Sequence, residues 1–135
     1  MTSESTDGIR TIELGNTNEF RDELNALILA GKKRATAGAL EWDYEEGEPV
    51  EKVGEKFALL DNYGNAIATI QATRVEIVEF INVPDEFALA EGEGDLSADD
   101  FRRSHSQYWA SDGYKVRDDS PIVLMYFEVL RDAGN

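Results

Sequence analysis

The chain has 135 residues, with 28 acidic against 13 basic side chains, one histidine and no cysteine, for a formal charge of −15. That is the length of one domain, and a hydrophobic fraction of 41% can supply a core, so neither two domains nor a wholly disordered chain fits. Disulfides and cysteine-held zinc or iron–sulfur centres are excluded, no apolar run reaches the ~20 residues that span a bilayer, and the acidic excess opposes bulk binding of duplex DNA.

The N-terminal MTSESTDG lacks a basic region followed by an apolar stretch, so no secretory signal is read and the cytoplasm is the expected location. Residues 1–8 are polar and read as frayed. Ile9–Leu14 reads as a short edge strand, with Ile12 and Leu14 on one face and Gly15 as its end. Asn18 is a plausible helix cap, and Glu19 and Asp22 suit the first turn. Phe20, Leu24, Leu27 and Ile28 repeat at helical spacing, which predicts a helix over 19–30 stopped by Gly31. Three positive side chains, Lys32, Lys33 and Arg34, follow at once and are placed to meet the helix C-terminal carbonyls. Ala39 and Leu40 extend a short second helix in this reading. Residues 41–55 carry seven carboxylates around Gly47 and Pro49 and read as a solvated loop.

Phe57–Leu60 is a strand, and Asp61 to Asn65 supplies the turn into a long strand from Ile67 to about Phe80. Val75 and Ile77 alternate, whereas Val78 and Phe80 fall on the opposite parity, so a bulge or strong bend is expected. Pro84 starts a short helix with Phe87 and Ala88 inward. Glu91–Asp95 reads as a flexible acidic loop. Ser97 caps a further helix, with Asp100 three residues on, and Phe101, His105, Tyr108 and Trp109 share a face. After a turn at Asp118–Pro121, Ile122–Leu130 is apolar on both faces apart from Glu128, the pattern of a central, doubly buried strand. Strands and helices without regular alternation give an α+β class, with a small barrel or strongly bent sheet covered by helices.

Three constellations carry possible chemistry. Lys33 and Thr36 are three apart, and an ammonium beside a hydroxyl suits phosphate binding, carbonyl polarisation or nucleophilic attack. The plain reading is a surface lysine and a capping threonine. Glu91, Glu93 and Asp95 are spaced two apart, so they can orient a lysine, serve as a general base or take a hard cation. The plain reading is a solvated turn. Arg102, Arg103, His105, Tyr108 and Trp109 lie on or near one helix. There Arg103 can reach a phosphate and an aromatic can stack on a base, against the plain reading of a packed core face. With one histidine in the chain, a histidine-rich metal site is impossible.

In order, these segments resemble the ASCH domain family. Gly31-Lys32-Lys33-Arg34-Ala35-Thr36 is similar to that family's Gly-x-Lys-x-x-Thr form. Glu91-Gly92-Glu93-Gly94-Asp95 is followed by the Arg/His/aromatic helix, and Asp119-Ser120-Pro121 feeds a strand ending Phe127-Glu128-Val129. The resemblance spans residues 15–131 and is closest to the bacterial branch. It leaves 1–14 as an N-terminal extension that includes the edge strand, and 132–135 as a tail.

The resemblance implies a small PUA-like β-barrel with covering helices and a cleft between them. It also implies an RNA- or nucleoside-directed protein, in one version a hydrolase of single-stranded RNA and in another an amidohydrolase that removes acetyl from modified cytidine. A non-catalytic RNA- or nucleotide-binding module is the competing class. Carried over by motif, Lys33, Thr36 and Glu93 form the catalytic set, with Glu91 as the alternative carboxylate. Lys32, Arg34, Tyr44, Arg103, His105, Tyr108, Trp109 and Ser120 are candidate ligand contacts. No cofactor is implied, except that the ribonuclease version lacks a general acid, a gap that a divalent cation can fill. The expected partner is short single-stranded RNA or a modified nucleoside, not duplex DNA or a membrane, and the expected state is a monomer or homodimer.

Overall fold

The computed structural model describes residues 2–4 and 9–130. The expected C-terminal tail, 132–135, lies outside the described residues, as do positions 1 and 5–8 of the segment read as frayed. Six strands form one sheet: β1 (Thr2–Glu4), β2 (Arg10–Ile12), β3 (Ala35–Ala39), β4 (Lys56–Leu60), β5 (Ala66–Glu79) and β6 (Pro121–Leu130). Their order across the sheet is β1-β2-β4-β5-β6-β3, antiparallel except for the β2–β4 pair. Three helices, α1 (Asn18–Leu29), α2 (Asp85–Glu91) and α3 (Ala98–Asp112), complete an α+β fold in which the sheet curls into a half-barrel.

The backbone of β1 pairs with β2, so the strand around Ile12 is second from the edge and part of residues 1–8 is ordered into the sheet. The other edge is β3. Ala39, read as part of a helix, ends this strand instead, because Ala35–Ala39 hydrogen-bonds along β6 and offers small side chains to the packed interior. Small residues favour helix only where no such partner is available.

The strand β6 is central and buried on both faces, as its composition requires. Ile122 and Leu124 pack with Phe80, Phe87, Phe101 and Trp109 beneath α2 and α3, whereas Met125 and Phe127 pack with Ile12, Leu24, Ile28 and Phe57 beneath α1. The expected bulge in β5 is at Thr73, where the register passes from Ala72 opposite Phe127 to Arg74 opposite Tyr126. It puts Val75 on the same face as Ile70 and Ala72 despite the change in parity. Val78, and Phe80 just beyond the strand end, join the other cluster, while Ile77 on the opposite parity is exposed.

Thr17, one residue before the expected cap, accepts the Phe20 amide and starts α1. At the other end of α1 the amides of Lys32 and Lys33, not their side chains, satisfy the Leu27 carbonyl. Ser97 caps α3 as read, through the Asp100 amide. No helix among the described residues is long and apolar enough to cross a membrane.

Candidate functional site

The chain leaves α1 on a path that points Lys33 inward. Gly31 takes φ +77°, the Arg34 amide donates to the Ala90 carbonyl at 2.7 Å, and the Arg34 carbonyl accepts from the Phe127 amide at 3.0 Å. This strap fixes the main chain between α2 and β6. Neighbouring side chains then point opposite ways, so Lys33 is 1% exposed while Lys32 and Arg34 face outward.

The Lys33 ammonium has three kinds of acceptor. It donates to the Ala35 carbonyl at 2.8 Å and to Glu93 Oε2 at 2.5 Å. At 3.5 Å it also meets Glu91, through both the Oε2 atom and the main-chain carbonyl. That carbonyl belongs to the last residue of α2, where a cation is favoured. Glu91 is therefore no member of a flexible loop. It ends a helix and is as buried as the lysine, because Gly92 turns the chain at φ +65° and packs directly on the Lys32 carbonyl.

Burial raises the Glu91 carboxyl above the usual carboxylate range, against the opposing influence of His105 and Lys33. His105 Nε2 lies 3.2 Å from Glu91 Oε1, although that oxygen receives no hydrogen bond among the described residues. The imidazole stacks on Phe101 at 3.9 Å between ring centres, and its Nδ1 lies 3.1 Å from the Phe101 carbonyl.

These groups sit in a cleft of about 310 Å³. Its walls come from the β2–α1 connection (Glu13 to Asn16), α1 (Phe20, Leu24), β3 (Thr36, Ala37) and α3 (Ser104 to Asp112), with Lys33, Glu91 and Glu93 at one end. Thr36 thus opens on the same space as Lys33. Tyr108 and Phe20 form an aromatic wall, with ring centres 5.8 Å apart. Burial, with Asp43, Asp112 and Glu93 nearby, pushes the Tyr108 phenol up to about 12, so it stays neutral at physiological pH.

The cleft therefore gathers Lys33, Thr36, Glu91, Glu93, His105, Tyr108 and Trp109 from the predicted set. It leaves out five others. Lys32 and Arg34 point away for the reason given. Arg103 is exposed and pairs with Asp100 along its own helix. Tyr44 donates to Glu51 at 2.5 Å in the 41–55 loop, where burial and the Glu51 carboxylate raise its phenol further. Ser120 is fully buried as a turn holder, accepting from the Arg117 amide and the Tyr114 hydroxyl.

The sequence reading missed Asp43, which sits among seven carboxylates with nothing to mark it. It lines the cleft and accepts from the Ala39 amide at 2.7 Å and from Trp109 Nε1 at 3.1 Å. Its loop is anchored there and by the buried Glu51, not freely solvated.

An α+β half-barrel with a buried lysine–carboxylate cleft between sheet and helices is a PUA-like domain of the ASCH kind. The sequence profile of the ASCH domain matches residues 10–131, and the chain belongs to the ASCH domain family. Among solved structures, the ASCH domain from Lactobacillus crispatus JV V101 is 28% identical with a TM-score of 0.76, over 88% of this chain and 77% of that one. Protein EF3133 from Enterococcus faecalis V583 is 29% identical with a TM-score of 0.75, over 87% and 74%. The hypothetical protein PH0355 shares the fold alone, at 15% identity and a TM-score of 0.56, over 81% and 92%. A search of curated proteins gave no match.

Proposed function

We propose that this protein hydrolyses an amide on a small, uncharged modified nucleoside, with acetylated cytidine as the type of substrate. The observation that carries the reading is the charge of the cleft. Glu13, Asp43, Glu91, Glu93 and Asp112 line it, and Lys33, its one basic lysine or arginine side chain among the described residues, is already engaged by two of them. A phosphodiester entering this space would meet net negative charge in a partly desolvated site. A neutral base with amino donors would find acceptors and the Phe20–Tyr108 wall to lie against. The volume is at the small end of ligand sites, which run from about 300 to 1,000 Å³.

Lys33, Thr36 and Glu93 take the roles that the family resemblance suggests. Ligand entry displaces water, and the Lys33 proton passes to Glu93. The Thr36 hydroxyl then adds to the acyl carbonyl while its proton goes to the Lys33 amine. The same proton moves to the leaving nitrogen as the carbon–nitrogen bond breaks. Water then hydrolyses the threonine ester, one of its hydrogens restoring the Thr36 hydroxyl and its oxygen leaving with the acetate, and Glu93 returns its proton to Lys33. The proposed compartment is the cytoplasm.

The test is turnover of N-acetylated cytidine followed by release of acetate. Wild type is expected to turn over, Thr36→Val to lose at least about 100-fold in rate while staying folded, and Lys33→Ala to be inactive. Absence of turnover by wild type across free nucleosides, or full activity in Thr36→Val, would overturn the reading. Cleavage of unstructured RNA by wild type, lost in Lys33→Ala, would replace it with the ribonuclease reading.

A further inference from the structure

We propose that Glu91, Asp95 and His105 form a binding site for one divalent first-row metal ion of the zinc or manganese class, on the α3 side of the cleft floor. This does not rest on the amide-hydrolysis reading. Ligand atoms of the three side chains lie within 4.8 Å of one another. In a tetrahedral zinc shell, with bonds of about 2.1 Å, neighbouring donor atoms are about 3.4 Å apart. Glu91 Oε1 and His105 Nε2, at 3.2 Å, already have that spacing. Asp95, within 4.8 Å of the other two, has to close in to reach that spacing, and it follows Gly94, whose φ is +101°.

The state of His105 points the same way. The Phe101 carbonyl can only accept, so the 3.1 Å contact requires a hydrogen on Nδ1. The Ser104 hydroxyl donates to Asp95 Oδ2 at 2.8 Å, which leaves Nδ1 to serve Phe101. His105 Nε2 lies 3.2 Å from Glu91 Oε1, a buried oxygen with no hydrogen-bond partner among the described residues. A buried carboxylate oxygen left without a donor favours a positive centre beside it. A histidine whose Nδ1–H is held by a carbonyl while Nε2 faces a carboxylate is oriented as metal-ligating histidines are.

A single proton would satisfy that pair, but two further features favour a metal. Asp95 supplies a third donor, which a shared proton does not need. Local charge also balances for a dication: Glu91, Glu93 and Asp95 against Lys33, with neutral His105, leave a formal −2. Lys33 occupies the other oxygen of Glu91, Oε2, so ammonium and ion need not compete for one atom. One nitrogen and two carboxylate donors suit zinc or manganese better than magnesium or calcium. Three protein ligands leave a coordination position open, and Glu91 and His105 both line the cleft.

The test uses full-length protein stripped with a chelator and the metal alone as ligand. His105 is the only histidine, so its imidazole nitrogen resonances report the site without ambiguity. One equivalent of Zn2+ is expected to shift the Nε2 signal and to raise the Tm by several degrees. Both effects are expected to vanish in Asp95→Asn, whose side chain is partly exposed. Mg2+ at the same concentration serves as the control for general screening of the acidic surface. An Nε2 signal that titrates with pH yet ignores Zn2+ and Mn2+ means a shared proton and overturns the proposal. A Tm rise that is equal with Mg2+, or that survives in Asp95→Asn, assigns the ions to surface carboxylates and overturns it too.

Discussion

Lys33 carries more consequence than any other residue. A buried ammonium is stable only when its charge is met, and here two carboxylates and two carbonyls meet it. Replacing it with Met keeps the volume and leaves Glu91 buried without its partner. Lys33→Met is expected to lose about 3–5 kcal/mol of stability, read from urea unfolding. A loss below about 1 kcal/mol would mean that the carboxylates do not depend on the lysine.

Asp43 gives a pH dependence whose sign follows from its surroundings. Burial raises its carboxyl, while the Ala39 amide and Trp109 indole pull it down less strongly. A folded value above the unfolded one means that the folded state holds the proton longer. The contribution is complete below the unfolded value near 3.8 and is lost as pH rises through the folded value. Wild type is therefore expected to lose ground to Asp43→Asn as pH rises from about 4 toward 7, with Trp109 emission as the probe. A stability difference that grows in favour of wild type with pH contradicts this.

At the scale of elements, the site depends on two short connections pressed together. The α1–β3 turn brings Lys33, and the last residue of α2 and the turn after it bring Glu91 and Glu93. A Cβ built on Gly92 would stand 2.1 Å from the Lys32 carbonyl oxygen and 3.0 Å from the Lys33 Cα. That obstacle is main chain, which cannot swing aside as a side chain does. Gly92→Ala is expected to cost about 1–3 kcal/mol or more and to displace Lys33, so turnover and stability fall together. Gly47→Ala has open space around its Cβ but the same positive φ, so it isolates the conformational part of the cost. Equal losses in the two variants would remove the packing argument.

For the whole molecule, the charge of −15 has two effects. It opposes the compact state through self-repulsion, which salt screens as the Debye length falls from about 30 Å at 0.01 M to about 3 Å at 1 M. The Tm is expected to rise over that range, and a fall would show that ion pairs such as Arg10–Glu55 outweigh the repulsion. The same field, with an acidic cleft inside it, opposes the approach of a polyanion and exerts no net force on a neutral ligand.

Much of this was readable along the chain because local rules sufficed. Ser97 before an acidic first turn marked α3, the double-sided apolar run marked β6, and the parity conflict in β5 announced a bulge, found at Thr73. The resemblance of the Lys33–Thr36 motif and of the acidic segment to the family pattern pointed to the two halves of the cleft, where residue type by itself read a surface lysine and a solvated turn. Other features had no local trace. Nothing near Ala39 says strand until β6 lies beside it, and nothing near Asp43 distinguishes it from its acidic neighbours until Trp109 arrives from α3. Nor does the alternation of Lys32, Lys33 and Arg34 show which one turns inward. Residue type and spacing by themselves determined most of the elements and the chemistry on offer, and the resemblance of the motifs pointed to the family. Burial, partner and direction were decided only by tertiary structure, since each depends on residues that pack from 60 or more positions away.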